Sequence, residues 1–219
     1  MDIFMKLLTL CLTVCTALAF AEGYSELGPL HTIGTSPVST DDIAFSQSYA
    51  YANLLNGYSA NSMADDFILA ANASIDSVVV WMIYIGAQPA NVDVAFYQDT
   101  GDSSPATATS VWSGTASATY IDTGDDNWGF DIIETTLVLP SYPFLTAGVY
   151  YWLEITLNYN VDFWLVQNWS VLSQCWVLNG STWTRSDDAY SESTDAFFDL
   201  YAAPVALERE TWGSIKTIF

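Results

Sequence analysis

Short runs rich in β-branched and aromatic residues alternate along this chain with clusters of Gly, Asn, Asp, Ser and Pro. Before residue 204 no stretch holds a helical period for more than about two turns. The runs predict strands at Ala64–Ala70, Ser74–Gly86, Val92–Gln98, Thr107–Ser113, Ala118–Ile121, Phe130–Leu139, Val149–Asn158, Val161–Asn168, Gln174–Leu178, Thr182–Thr184 and Ala196–Tyr201. Turn chemistry separates them: Gln88-Pro89, Asp99-Thr100-Gly101-Asp102, Asp122-Thr123-Gly124-Asp125, Pro140 to Pro143, Asn158 to Asn160, Asn179-Gly180 and Ser186-Asp187-Asp188. Asn179-Gly180, between two Trp-bearing runs, is the strongest hairpin signal. Evenly spaced short strands of this kind predict an all-β chain built as a single β-sandwich of jelly-roll type.

Period-two alternation then sorts the faces. Tyr151, Leu153, Ile155 and Leu157 share one side of their run, and Tyr150, Trp152, Glu154 and Thr156 the other. The expected core between the two sheets is Phe67, Val78, Val80, Val94, Phe96, Leu137, Tyr151, Leu153, Ile155 and Phe197. On the opposite face, Trp152 and Glu154 combine with Trp164 and Asn168 of the next run into a candidate ligand-binding platform. An indole takes the apolar C–H face of a sugar, while carboxylate and carboxamide bond its hydroxyls. The other reading is that both Trp residues pack beneath loops.

Charge narrows the partners. The 219 residues carry 25 acidic against 4 basic side chains, a formal net charge of −21, with 51% apolar residues. So apolar a chain is not disordered. With no basic surface it has no means of displacing counterions from nucleic acid. Met1–Lys6 and the apolar Leu7–Ala19 read as a leader ending in Ala19-Phe20-Ala21, with cleavage before Glu22. That apolar run is too short to span a bilayer, and the alternative is a retained N-terminal anchor. The expected organisation is a signal peptide over 1–21, a lead-in segment over 22–60, the sandwich over 61–203 and a tail over 204–219, with no membrane span in the mature chain. Beyond the leader Cys175 is the one cysteine, so no internal disulfide is available. His31 is the only histidine, which argues against a Ser-His-Asp or Cys-His site.

Several motifs resemble a known group. Met63-Ala64-Asp65-Asp66-Phe67-Ile68-Leu69, followed by Ile75-Asp76-Ser77-Val78 and Trp81, looks like the opening of secreted bacterial jelly-roll modules. Ala147-Gly148-Val149-Tyr150-Tyr151-Trp152 resembles a later strand of that group. Asp195-Ala196-Phe197-Phe198-Asp199-Leu200 resembles its closing strand, and Leu27-Gly28-Pro29-Leu30-His31-Thr32 its lead-in. The resemblance spans roughly Leu27 to Ala202. It implies a sandwich fold shared with carbohydrate-binding modules and a bacterial protein that is secreted or held at the cell surface.

Most Asp residues fall at turns, where Asx-turns explain them. Asp65 and Asp66 instead enter the opening strand, and Asp195 and Asp199 lie on the closing one. First and last strands are commonly neighbours in a jelly roll. These four are therefore candidate ligands for a structural Ca2+, which takes six to eight oxygens. A glycoside hydrolase needs two carboxylates about 5 to 9 Å apart. Glu134 and Glu154 are the only glutamates within the predicted strands after the leader, and no clustered acidic catalytic motif accompanies them. The expectation is a secreted, non-enzymatic module that binds a neutral polysaccharide and is stabilised by calcium. The alternative is an extracellular structural or adhesive protein that contacts a cell-surface protein through sheet edges and the Thr211-Trp212-Gly213 tail; a glycoside hydrolase is the third reading.

Overall fold

The computed structural model describes residues 43–167 and 173–204. The leader, most of the lead-in segment, Asn168 and the Trp212 tail lie outside the described residues. Among the described residues fourteen strands run in chain order: β1 (Ile43–Gln47), β2 (Leu54–Tyr58), β3 (Ser62–Ile68), β4 (Ala73–Tyr84), β5 (Asn91–Gln98), β6 (Thr109–Asn127), β7 (Phe130–Val138), β8 (Phe144–Leu145), β9 (Tyr150–Thr156), β10 (Asp162–Gln167), β11 (Trp176–Asn179), β12 (Thr182–Arg185), β13 (Asp195–Ala196) and β14 (Phe198–Ala202). One short helix, α1 (Ser186–Tyr190), follows β12.

The strands pair antiparallel in the order β1-β14-β4-β7-β6-β5-β9-β3-β11-β12, and β10 pairs with β4, β2 and β13. The nineteen-residue β6 turns the corner of the sandwich. Its first half, Thr109–Ser117, pairs with β5, and its second half, from Ser117 on, pairs with β7. The order thus doubles back into a front layer (β1, β14, β4, β7, with β10 and β2 alongside) and a back layer (β5, β9, β3, β11, β12). Across the gap, Phe67 of β3 lies 5.6 Å from Phe45 of β1 and 6.0 Å, edge-on, from Phe198 of β14.

The expected all-β sandwich is the observed fold, with three local corrections. Thr107–Ser113 and Ala118–Ile121 belong to one strand, β6. Asp122-Thr123-Gly124-Asp125 does not separate two strands; it makes a bulge, where the register jumps from Asp122↔Ile133 to Asp126↔Asp131. Gly124 supplies the positive φ of +80° and donates its N–H to Asp122 at 2.9 Å, so the Asx-turn forms without ending the strand. The chain reverses later, at Trp128-Gly129. The lead-in segment is also not separate up to residue 60, because β1 pairs with β14 and β2 with β10. Its strands are short, and Asn56-Gly57 within β2 and the Ser and Asn around it hide the alternation. Finally, Phe197 is buried but lies outside the inter-layer core. It packs with Val79, Trp81, Ile83, Ile132 and Leu165 on the outer face of the front layer.

The other expected core residues are all buried between the layers. Phe67 sits at their centre, touching Phe96 and Tyr151 in its own layer as well as Phe45 and Phe198 opposite. Phe67→Ala is expected to cost about 3–5 kcal/mol, as an aromatic truncation in a core that cannot collapse. Urea denaturation of the full chain measures it, and a loss below about 1 kcal/mol contradicts this packing.

Candidate functional site

The structure divides the expected platform. Trp164 is 0% exposed, faces the inter-layer core and donates its indole N–H to the Phe197 carbonyl at 2.9 Å. Trp152 lies on the outer face of the back layer, yet it is only 1% exposed, stands edge-on to Trp176 and donates to Asp99 at 3.3 Å. Trp152 and Glu154 do share a face, as alternation requires; Trp164 instead sits on the inner face of β10, in the front layer. Neither indole is free to stack on a sugar. Glu154 is half-buried between Ala64 and Ala95 in register and accepts a 2.7 Å hydrogen bond from Tyr97.

The four aspartates also part company. Asp65 is fully buried with its oxygens already occupied. One accepts from Gln47 Nε2 at 3.0 Å and from the Ala196 N–H at 2.7 Å; the other accepts from the Asp66 N–H at 3.1 Å. Oxygens turned toward three donors do not suit a cation. Asp66, its neighbour along the strand, projects to the opposite face and accepts from the Ser173 N–H at 3.2 Å. Asp199 lies on the outer face of the front layer, where Ser48 Oγ donates to both its oxygens at 2.7 and 2.8 Å. Asp195 is near enough for its charge to act on Asp65, as does that of the adjacent Asp66. Among the described residues no three His, Cys, Asp or Glu side chains gather as a metal site. Asp65, Asp66 and Asp199 thus point to three different places in this structure.

Glu134 and Glu154 do not form a catalytic pair either. Glu134 is paired with Trp81 on the outer face of the front layer, and Glu154 lies on the outer face of the back layer. The whole core separates them. Glu134 has Asp199 near it instead; burial raises the proton affinity of both carboxyls, and the Asp199 charge adds to the rise at Glu134.

An open cavity of about 290 Å3 lies at one end of the sandwich, against the β6–β7 hairpin. Tyr84, Gly86, Gln88, Gly129, Phe130 and Asp131 line it together with Ile133. The β4–β5 loop forms one wall and the hairpin the other. At the hairpin tip Trp128 takes a φ of +54° and Gly129 one of +78°. Two successive positive φ values fit the tight reversal that a right-twisted hairpin needs. Glycine meets that demand freely, whereas a Trp there is strained. Trp128 is nevertheless 55% exposed, and Phe130 beside it is 38% exposed. Sequence reading missed this end because the turn was placed at Gly124. The usable signal was Asn127-Trp128-Gly129, a turn triplet with an aromatic in the middle.

No protein-family model and no curated protein matches the chain.

The buried carboxyls make stability depend on pH. Burial pushes Asp66 up to about 6, with the Asp99 charge adding to the rise and the Ser173 N–H opposing it. Burial first, then the charges of Asp195 and Asp66, hold Asp65 well above the usual carboxylate range. A raised carboxyl keeps its proton in the native state while the unfolded chain releases it, so stability falls as pH climbs from about 4. For Asp66 the fall is complete just above pH 6, and Asp65 extends it upward. Urea midpoints across that range should decline with pH. Asp66→Asn should flatten the lower part of the decline, and an unchanged slope in that variant rules out the assignment.

Proposed function

We propose that this chain is an extracellular, non-enzymatic binding module that holds a polysaccharide free of acidic groups at the β6–β7 end of the sandwich. Trp128 is the observation that carries the reading. A bulky residue in the left-handed region costs about 1–3 kcal/mol, and Gly or Asn would serve the turn better. What Trp128 adds is an exposed indole at the hairpin tip, its ring edge over Gly57 of β2 and its chain neighbours Gly129 and Phe130 in the cavity wall. With Phe130 it offers apolar ring faces for sugar C–H groups, and Gln88 and Asp131 at the cavity wall supply hydrogen-bonding groups for hydroxyls. The leader-like N-terminus and the resemblance to secreted jelly-roll modules support the extracellular setting. The net charge of −21 argues against acidic glycans.

Trp128→Gly separates the two costs. It should abolish the change in Trp fluorescence on titration with polysaccharide, while stability holds or rises by about 1 kcal/mol as the strain is released. Retained binding in this variant would place the ligand elsewhere.

A further inference from the structure

We infer that residues 205–219 turn back onto the outer face of the front layer and dock on its half away from the β6–β7 hairpin, with Arg209 seated against Asp199 and Glu134. That face is built in rows, because residues paired directly opposite share a side. Ile75 and Val78 point into the core, so Ser74 and Ser77 beside them lie on the outer side, as does Val79. Ser74 lines up with Phe144 of β8, and its carbonyl accepts a 2.7 Å hydrogen bond from the Ala203 N–H. Ser77 lines up with Val138 of β7 and Tyr201 of β14, and Val79 with Thr136 and Asp199. Glu134 stands one row further on, opposite Trp81.

The hairpin half of the face is covered. Tyr49, just beyond β1, stacks on Trp81 at 6.0 Å and stands edge-on to Phe197 at 5.3 Å. The other half is open: Val138 is 46% exposed and Phe144 60%. No cation from the described residues reaches its two carboxyls, since Arg185, the only Lys or Arg among them, lies on β12 in the back layer and pairs with Asp187. Two stretches of chain adjoin this opening. Residues 22–42 lead into Ile43, which pairs with Tyr201, and residues 205–219 leave from Pro204 beside Ser74. Charge selects between them. Residues 22–42 hold Glu22, Glu26, Asp41 and Asp42 with no Lys or Arg, whereas residues 205–219 hold Arg209 and Lys216.

The order of residues after Pro204 matches the rows. In an extended chain Val205, Leu207 and Arg209 share one side, and Ala206, Glu208 and Glu210 the other. A chain that reverses at Pro204 climbs about 3.3 Å per residue. Val205 then comes level with Phe144, Leu207 with Val138 and Tyr201, and Arg209 with Asp199. Glu208 and Glu210 face water. A slip of one residue would set Glu208 against Asp199, so charge fixes the register as well as the occupant.

Disulfide trapping in the full chain carrying Cys11→Ser and Cys15→Ser tests this. Cys175 is buried and burial raises its thiol, which keeps it out of the exchange. Leu207→Cys with Val138→Cys should close an intramolecular bridge about tenfold or more faster than Leu207→Cys with Thr115→Cys, an exposed site on the back layer. Adding Arg209→Glu should slow the first closure about tenfold, and adding Glu134→Arg to that variant should restore it. Equal rates for the two cysteine pairs overturn the docking. A bridge formed only between chains, seen as a covalent dimer, gives the face to a second copy and also overturns it. A rate unmoved by Arg209→Glu, or not restored by Glu134→Arg, overturns the seat of Arg209 and the inference with it.

Discussion

Phe67 holds the two layers of the sandwich on each other. The only cysteine among the described residues, Cys175, is buried and free, so packing must do what a disulfide does in many small extracellular domains. Phe67 meets rings from both layers and is itself 0% exposed. Its contacts to Phe45 and Phe198 bring the first and last described strands under the opening strand of the back layer. The aromatic load of the chain is spent largely in this way, on the core and on the second cluster outside the front layer. Aromatic residues at the sandwich ends are what remain for contact with other molecules.

Asp65 completes the closure by a different route. Its carboxyl joins β1 through Gln47, β13 through the Ala196 N–H and its own strand through the Asp66 N–H. The sequence suggested that carboxylates tie the chain ends together through calcium. The carboxylate does tie them, but through hydrogen bonds in a buried site, where such a network is worth more than it is at the surface. The cost is a group that resists ionisation, and that couples closure of the sandwich to pH.

The fold was legible because period-two alternation survives wherever one strand face is buried. Tyr151, Leu153 and Ile155 read as core on that ground, and they are core. Alternation says nothing about which layer a strand joins, so Trp152 and Trp164 looked like neighbours when they lie in different layers. It also fails at Phe197, where an apolar side chain is buried on the outer face rather than the inner one. The site was hidden for a related reason. A glycine between aspartates is the usual mark of a reversal, but Gly124 makes a bulge and the reversal falls at Trp128-Gly129, where a Trp breaks the usual turn preference. A local rule broken without gain to the fold is where function is to be sought.

We propose that ligand contact belongs to the hairpin end and not to either sheet face. Amide hydrogen exchange on the full chain, with and without saturating glucose oligomer, reads this without any substitution. Slowed exchange confined to the β4–β5 loop and the segment from Asn127 to Ile133 is expected. Slowed exchange across β9 and β3, around Glu154, with the hairpin unchanged, would contradict it.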